Sequence, residues 1–318
     1  MRKPSLMIQQ CALLIWDFKM LKFLTTLLIS LSTGAIYSLI SIAIVLVWRS
    51  TRVINFAQVG QATASTYIGF EITTRTDNFW LGLLGAIFFG AALGAAIDRY
   101  FMRPLFKNIK TGPILMIAPV VATLGLLGLI ESIIGFIWGL ENKIFDAPVS
   151  TVGFTIGDTV IAFSPFNLLI LISVAIMMIF FAILFQKTNV GLALRASAYS
   201  PEIASLSGIR VNSIRTLGWA LAGGAGALAG MLFVPSASLY PTSMSVLLVF
   251  GFVSAVIGGL DSLFGAVAGA MILGFAINFA ATYISSSLVF PMTFVMLILV
   301  LLFRPNGVFS IRKNRVDK

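Results

Sequence analysis

Mostly apolar runs long enough to cross a bilayer recur along the whole chain, at 24–48, 80–98, 114–139, 166–186, 216–234, 262–284 and 288–303. A helix needs roughly 20 such residues to traverse the hydrocarbon. Backbone inside lipid must satisfy its own hydrogen bonds, which leaves helices or closed barrels. Unbroken apolar runs of this length favour the helix. The fold expected is therefore an all-α, polytopic transmembrane helix bundle. Composition agrees: 59% of residues are hydrophobic and only 10% charged, whereas soluble domains carry about a quarter charged residues. No stretch is polar enough for a soluble domain, so residues 1–318 read as a single transmembrane domain.

Two further segments are weaker. Residues 54–71 carry Asn55, Gln58, Gln61 and several Ser and Thr; residues 243–259 are short and rich in Ser and Gly. Each either crosses fully or is a re-entrant piece buried in protein, which sets the expectation at about eight or nine spans. Loop charge gives orientation. The 98–112 loop (Arg99, Arg103, Lys107, Lys110 against Asp98) and the 187–215 loop (Lys187, Arg195, Arg210, Arg215 against Glu202) are cytoplasmic by this rule. So is the 304–318 tail, with Arg304, Arg312, Lys313 and Arg315. The 140–165 loop, with Glu141, Asp146 and Asp158 against Lys143, falls outside. Its "STVGFTIGDTVIAF" reads as a small extracytoplasmic hairpin around Gly157-Asp158 and as a docking surface. Residues 1–23 read as an interfacial segment feeding the first span. If both weak segments cross, the N-terminus lies outside, against the pull of Arg2, Lys3, Lys19 and Lys22; if one is re-entrant, both termini are cytoplasmic.

The net charge of +10 is explained by this loop bias, so nucleic acid is not an expected partner. The chain contains no histidine and one cysteine, Cys11. His-based catalysis, His metal ligation and an internal disulfide are thereby excluded. No GxxxxGK[ST] loop is present, so the chain cannot bind ATP by that device. No nucleophile–base or metal constellation suggests an enzyme; no cofactor is expected. No internal repeat is evident.

One polar stretch interrupts the pattern: "GLALRASAYSPEIASLSGIR", Gly191–Arg210. Ser200-Pro201-Glu202 is a helix start, with serine as cap, proline at the first position and glutamate at the positive dipole end. Gly208 is a natural stop two turns later. Gly191–Ala198 is a second short helical run carrying Arg195. Helices this short are unstable alone and must dock on something. Ile203 and Leu206 share one face.

This stretch resembles the cytoplasmic coupling loop of ABC-importer permeases of the branched-chain amino acid class, in which G-x-x-x-R-A is followed by an acidic residue, alanine and G-I. The chain supplies Gly191, Arg195, Ala196, Glu202, Ala204, Gly208 and Ile209. "VINFAQ" (53–58), "DRYFMRPL" (98–105), "ATLGLLGLIES" (122–132), "GGLDSLFGAVAGA" (258–270) and "FRPNGVF" (303–309) resemble further stretches of the same family in the same order. Departures are Val59 before Gly60, Ile203 at a position often alanine, Asp261 for a usual glycine and Phe264 for a usual proline.

The resemblance implies a permease subunit that couples ATP hydrolysis in a separate ATPase pair to translocation of branched-chain or other amino acids. Its implied partners are a second, homologous permease (a heterodimer), two ATPase subunits, an extracytoplasmic substrate-binding protein and the lipid of a bacterial inner membrane. It implies that 187–215 is the coupling loop, with Arg195 and Glu202 meeting charges on the ATPase; the other reading of Arg195 is contact with lipid phosphates. Intramembrane polar groups are costly and so are site candidates. Asn55 and Gln58, with Phe56 between them, either line the translocation pathway or cap a break between helices. Glu131 either faces the pathway or pairs with a neighbouring helix. Alternative functions are a permease for urea, amides or small organic acids, or a stand-alone ion-coupled transporter. The last usually needs several intramembrane carboxylates or histidines, and this chain offers mainly Glu131.

Overall fold

A computed structural model of the chain describes residues 4–108, 114–144, 146–156 and 159–309. The expected turn at Gly157-Asp158, the terminal cations Arg2, Lys3, Arg312, Lys313 and Arg315, and Lys110 lie outside the described residues. Helices make up nearly all the regular structure. In chain order they are α1 (Pro4–Thr51), α2 (Gln58–Thr76), α3 (Phe79–Ala96), α4 (Arg103–Asn108), α5 (Ile114–Trp138) and α6 (Pro165–Lys187). Then follow α7 (Asn189–Tyr199), α8 (Pro201–Leu206), α9 (Val211–Phe233), α10 (Ser245–Gly258), α11 (Leu263–Tyr283) and α12 (Val289–Phe303). A π-helical turn, Ile97–Met102, joins α3 to α4. Two three-residue strands, β1 (Phe154–Ile156) and β2 (Thr159–Ile161), pair antiparallel in the α5–α6 connection. Local chemistry sets the starts. Asn78 accepts the amides of Trp80 (2.9 Å) and Leu81 (3.2 Å) before α3, and Ser164 with Pro165 opens α6.

Among the described residues, seven helices are long and apolar enough to cross a membrane. The N-terminal segment is not a separate helix: α1 is continuous from Pro4, and its apolar span begins at Lys19. The expected count of eight or nine turns on the two weak segments. Residues 54–71 resolve into a short non-helical stretch and α2, whose Gln58, Gln61, Thr63, Ser65 and Thr66 are all buried. Residues 243–259 resolve into α10, only 14 residues long, or about 21 Å at helical rise. Gly259, at φ +100°, ends it.

The bundle is layered from inside out. The spans of α1 and α9 are mostly buried, whereas α5, α6 and α12 are largely exposed and apolar. Close packing rests on glycine seams, as expected where van der Waals contact replaces hydrophobic drive. A Cβ on Gly90 of α3 would meet the Gly223 carbonyl of α9 at 2.6 Å, and one on Gly223 would strike the Gly90 carbonyl. Gly34 of α1 faces Gly274 of α11, and Gly258 faces Gly265 across the α10–α11 turn.

Two faces can be told apart by their contacts. On one, Arg52 at the end of α1 pairs with Asp261 in the α10–α11 turn (2.5 Å) and donates to the Ala198 carbonyl of α7 (3.4 Å). Near the other end of the α1 span, the Lys22 ammonium lies 5.0 Å from the Tyr283 ring at the end of α11. α1 and α11 are therefore antiparallel. The last described residues return to the α7–α8 face: the Val308 amide donates to the Ile257 carbonyl (2.8 Å) and Phe309 to Gly258 (3.3 Å). Gly307, at φ +90°, packs on Gly259.

Candidate coupling face and membrane interior

The segment after α6 is a helix–turn–helix fixed by its own caps. Thr188 Oγ1 accepts the Gly191 amide (3.0 Å) to start α7. Gly191 is buried where any Cβ would lie 2.6 Å from the Phe185 Cα and collide with the Leu184 carbonyl; this closeness folds α7 back on α6. Ser200 Oγ accepts the Ile203 amide (3.4 Å), with Pro201 at the first position of α8. α8 ends in the motif that a left-handed glycine permits. Gly208 (φ +81°) donates to the Ser205 carbonyl (3.0 Å) and Ile209 to Ala204 (3.0 Å). Ile209 then leads directly into α9.

This arrangement sorts the seven residues singled out here. Gly191 and Ala204 are buried anchors, Ala196 and Ile209 are half-buried, and Arg195, Glu202 and Gly208 are exposed. The outward surface is apolar as well as charged. Leu192, Tyr199, Ile203 (62% exposed) and Leu206 (89%) are exposed on the same two helices as Arg195 and Glu202. Arg195 also shares an electrostatic environment with Arg49, Arg52 and Asp261.

The membrane interior separates the other four candidates. Asn55 and Gln58 are fully buried. Asn55 Oδ1 accepts the Ala57 amide (3.1 Å), its Nδ2 donates to Gln58 Oε1 (3.3 Å), and Gln58 Nε2 donates to the Ala222 carbonyl of α9 (2.9 Å). The pair thus bonds the stretch before α2 to itself and to α9. Phe56 points elsewhere. Its amide donates to Thr123 Oγ1 of α5 (3.4 Å), and its ring lies 6.2 Å from Phe252 of α10. Glu131, also on α5, accepts from Ser245 of α10 (2.8 Å). Thr123 and Glu131 are eight residues apart and Phe252 and Ser245 seven, so α5 and α10 run antiparallel. The Phe56 level and the Glu131–Ser245 bond lie about 11 Å apart along the helices.

Sequence reasoning missed one cluster. Asp98 is fully buried in the π-helical turn. It accepts from Arg103 Nε (3.2 Å), Arg215 Nε (2.8 Å) and Thr216 Oγ1 (2.5 Å). Arg103 also donates to the Asn212 carbonyl (2.5 Å) and to Thr216 Oγ1. The cytoplasm-assigned loop after α3 is thus tied to the first two turns of α9, immediately beyond the helix–turn–helix. The available signal was a lone acid among basic residues, five positions from Arg103. That spacing matches a π turn, not the i,i+4 spacing of an ordinary helix.

Apolar helices stacked around a polar-pinned interior, with a capped helix–turn–helix projecting from one face, define a multi-pass membrane protein of the permease class. The chain belongs to the family described as the branched-chain amino acid transport system permease component, whose model matches residues 26–303. A protein of Methanocaldococcus jannaschii, named as a probable branched-chain amino acid transport permease LivH, is 28% identical over 295 residues, covering 88% of this chain and 90% of its own. The high-affinity branched-chain amino acid transport permeases LivH of Salmonella typhimurium and BraD of Pseudomonas aeruginosa are each 27% identical over 309 and 302 residues, covering 91% of this chain and 96% of theirs. No solved structure matches the chain.

Proposed function

We propose that this chain is the membrane-spanning permease subunit of an ATP-driven importer of branched-chain or other amino acids in the bacterial inner membrane. Two ATPase subunits, a second homologous permease and an extracytoplasmic binding protein complete the transporter. The observation that carries the reading, beyond family membership, is the α7–α8 surface. Leu192, Tyr199, Ile203 and Leu206 are exposed on the same short helices as Arg195 and Glu202, on a cytoplasm-facing element where lipid cannot cover them. Closure of the ATPase pair moves α7–α8, and Ile209 passes that motion into α9 without an intervening flexible linker.

In this reading α2 and α10 also traverse the membrane, giving nine passes. The C-terminus lies with α7–α8 in the cytoplasm, and the N-terminus and β1–β2 lie on the other side. The α5–α10 seam lines the route, with Phe56, Thr123 and Phe252 at one level and Glu131 with Ser245 at the next. Asn55 and Gln58 hold α2 in place beside it. The β1–β2 connection is the docking surface for the binding protein.

The test separates coupling from folding. Glu202→Lys reverses an exposed charge, and Gly208→Pro removes the left-handed residue that ends α8. Both variants insert normally, yet lose ATPase copurification or substrate uptake in the assembled complex. Wild-type copurification and uptake in both reduces α7–α8 to a connecting loop.

A further inference from the structure

We propose that the basic cleft between α4 and the start of α9 binds the phosphate group of an anionic phospholipid. The cleft has a volume of about 600 Å³ and is lined by Arg99, Arg103, Lys107 and Arg215, with Phe106 and Asn212. None of its lining residues is acidic. The nearby carboxylate, Asp98, is already shared between Arg103 and Arg215. Among the described residues, no ion pair involves Arg99 or Lys107. Two cations therefore face the cleft without a carboxylate, beside two whose charge Asp98 offsets only in part. A phosphodiester supplies the missing anion, and guanidinium groups suit its geometry.

The apolar surroundings favour lipid over a dissolved anion. On α3, Leu81, Leu84 and Phe88 (73% exposed) follow one another at helical spacing and lead toward Arg99. Beside Arg99, Tyr100 (75% exposed) and Phe101 are also uncovered. Aromatic side chains gather at the level where headgroups meet hydrocarbon. A free phosphate gains nothing from this stripe; acyl chains lie along it while the headgroup reaches the cleft. Basic pockets between spans are established headgroup sites in general. The site rests on the proposed span assignment and on the cleft, and is independent of the transported substrate.

The test is native mass spectrometry of the full-length chain in detergent, titrated separately with phosphatidylglycerol and phosphatidylcholine, then with phosphatidylglycerol in the presence of inorganic phosphate. Each basic residue near an anionic headgroup contributes about fivefold in affinity, so Arg99→Ala with Lys107→Ala weakens phosphatidylglycerol retention by about thirtyfold. Arg99→Lys keeps most of it. Phosphatidylcholine is retained far less, and inorganic phosphate at equal concentration does not displace the lipid. Both replaced side chains are exposed, so an unchanged thermal midpoint certifies the fold. Equal retention of both lipids, unchanged retention in the double variant, or displacement by free phosphate overturns the proposal. So does loss of ATPase copurification in the double variant with lipid retention intact, which would make the cleft a protein-docking surface.

Discussion

Asp98→Asn is the sharpest single perturbation of the α3–α9 junction. The substitution keeps size and removes one charge. In the native chain the carboxylate takes three donors, from Arg103, Arg215 and Thr216. An amide can accept on one atom only; its nitrogen would face a guanidinium. Breaking a buried ion pair by removing one partner costs about 3–5 kcal/mol. The side chains of Arg103 and Arg215 are 28% and 16% exposed, so water recovers part of the loss, and the low end of about 3 kcal/mol applies. This lowers the thermal unfolding midpoint of the purified protein in detergent by several degrees. A double-mutant cycle with Arg215→Met locates the effect: once Asp98 is Asn, removing Arg215 should cost much less than in the native background. An unfolding midpoint within error of wild type for Asp98→Asn, or additive losses in the cycle, refutes the picture of Asp98 as the tie between these elements.

The other predictions address packing, sidedness and the buried amides. Gly223→Ala places a methyl against the Gly90 carbonyl and should destabilise by about 1–3 kcal/mol in a thermal denaturation assay; Gly125→Ala, where nothing lies within 4 Å of the new methyl, should be neutral. Cysteines at Ser200 and Val152 should react with impermeant reagents from opposite sides of the membrane, and one at Lys19 should side with Val152. Labelling of Ser200 and Lys19 from the same side would break the nine-pass topology. Gln58→Leu removes the bond to the Ala222 carbonyl, so uptake should fall in proportion to the folded protein recovered. A selective loss of uptake at normal stability would return Gln58 to the translocation route.

What the sequence disclosed follows from how local the cause was. Ser200, Pro201 and Gly208 act on backbone groups within a few residues, so the start and stop of α8 could be read directly, as could the long apolar spans. Contacts between distant segments could not. Asp98 and Arg215 are 117 residues apart, and nothing in either stretch names the other. Asn55 and Gln58 presented two roles because an amide in hydrocarbon needs a partner; only the fold shows that its partners are Ala57, the other amide and Ala222. The ends of α10, in contrast, were legible, since 243–259 brackets Ser245–Gly258; whether so short a segment crosses fully was not. Gly258-Gly259 marks the break, which the backbone of Gly259 makes at φ +100°.

The return of Val308 and Phe309 to the carbonyls of Ile257 and Gly258 bears on the order in which the protein matures. Those carbonyls lie at the end of α10, where the helix stops and no further helical turn donates to them. During synthesis α10 and α11 are made well before residues 307–309 leave the ribosome, so the turn bearing Asp261 must wait for them, open to water. A nascent protein that stalls or is cut at Phe303 would have every span and still present an unsealed glycine turn.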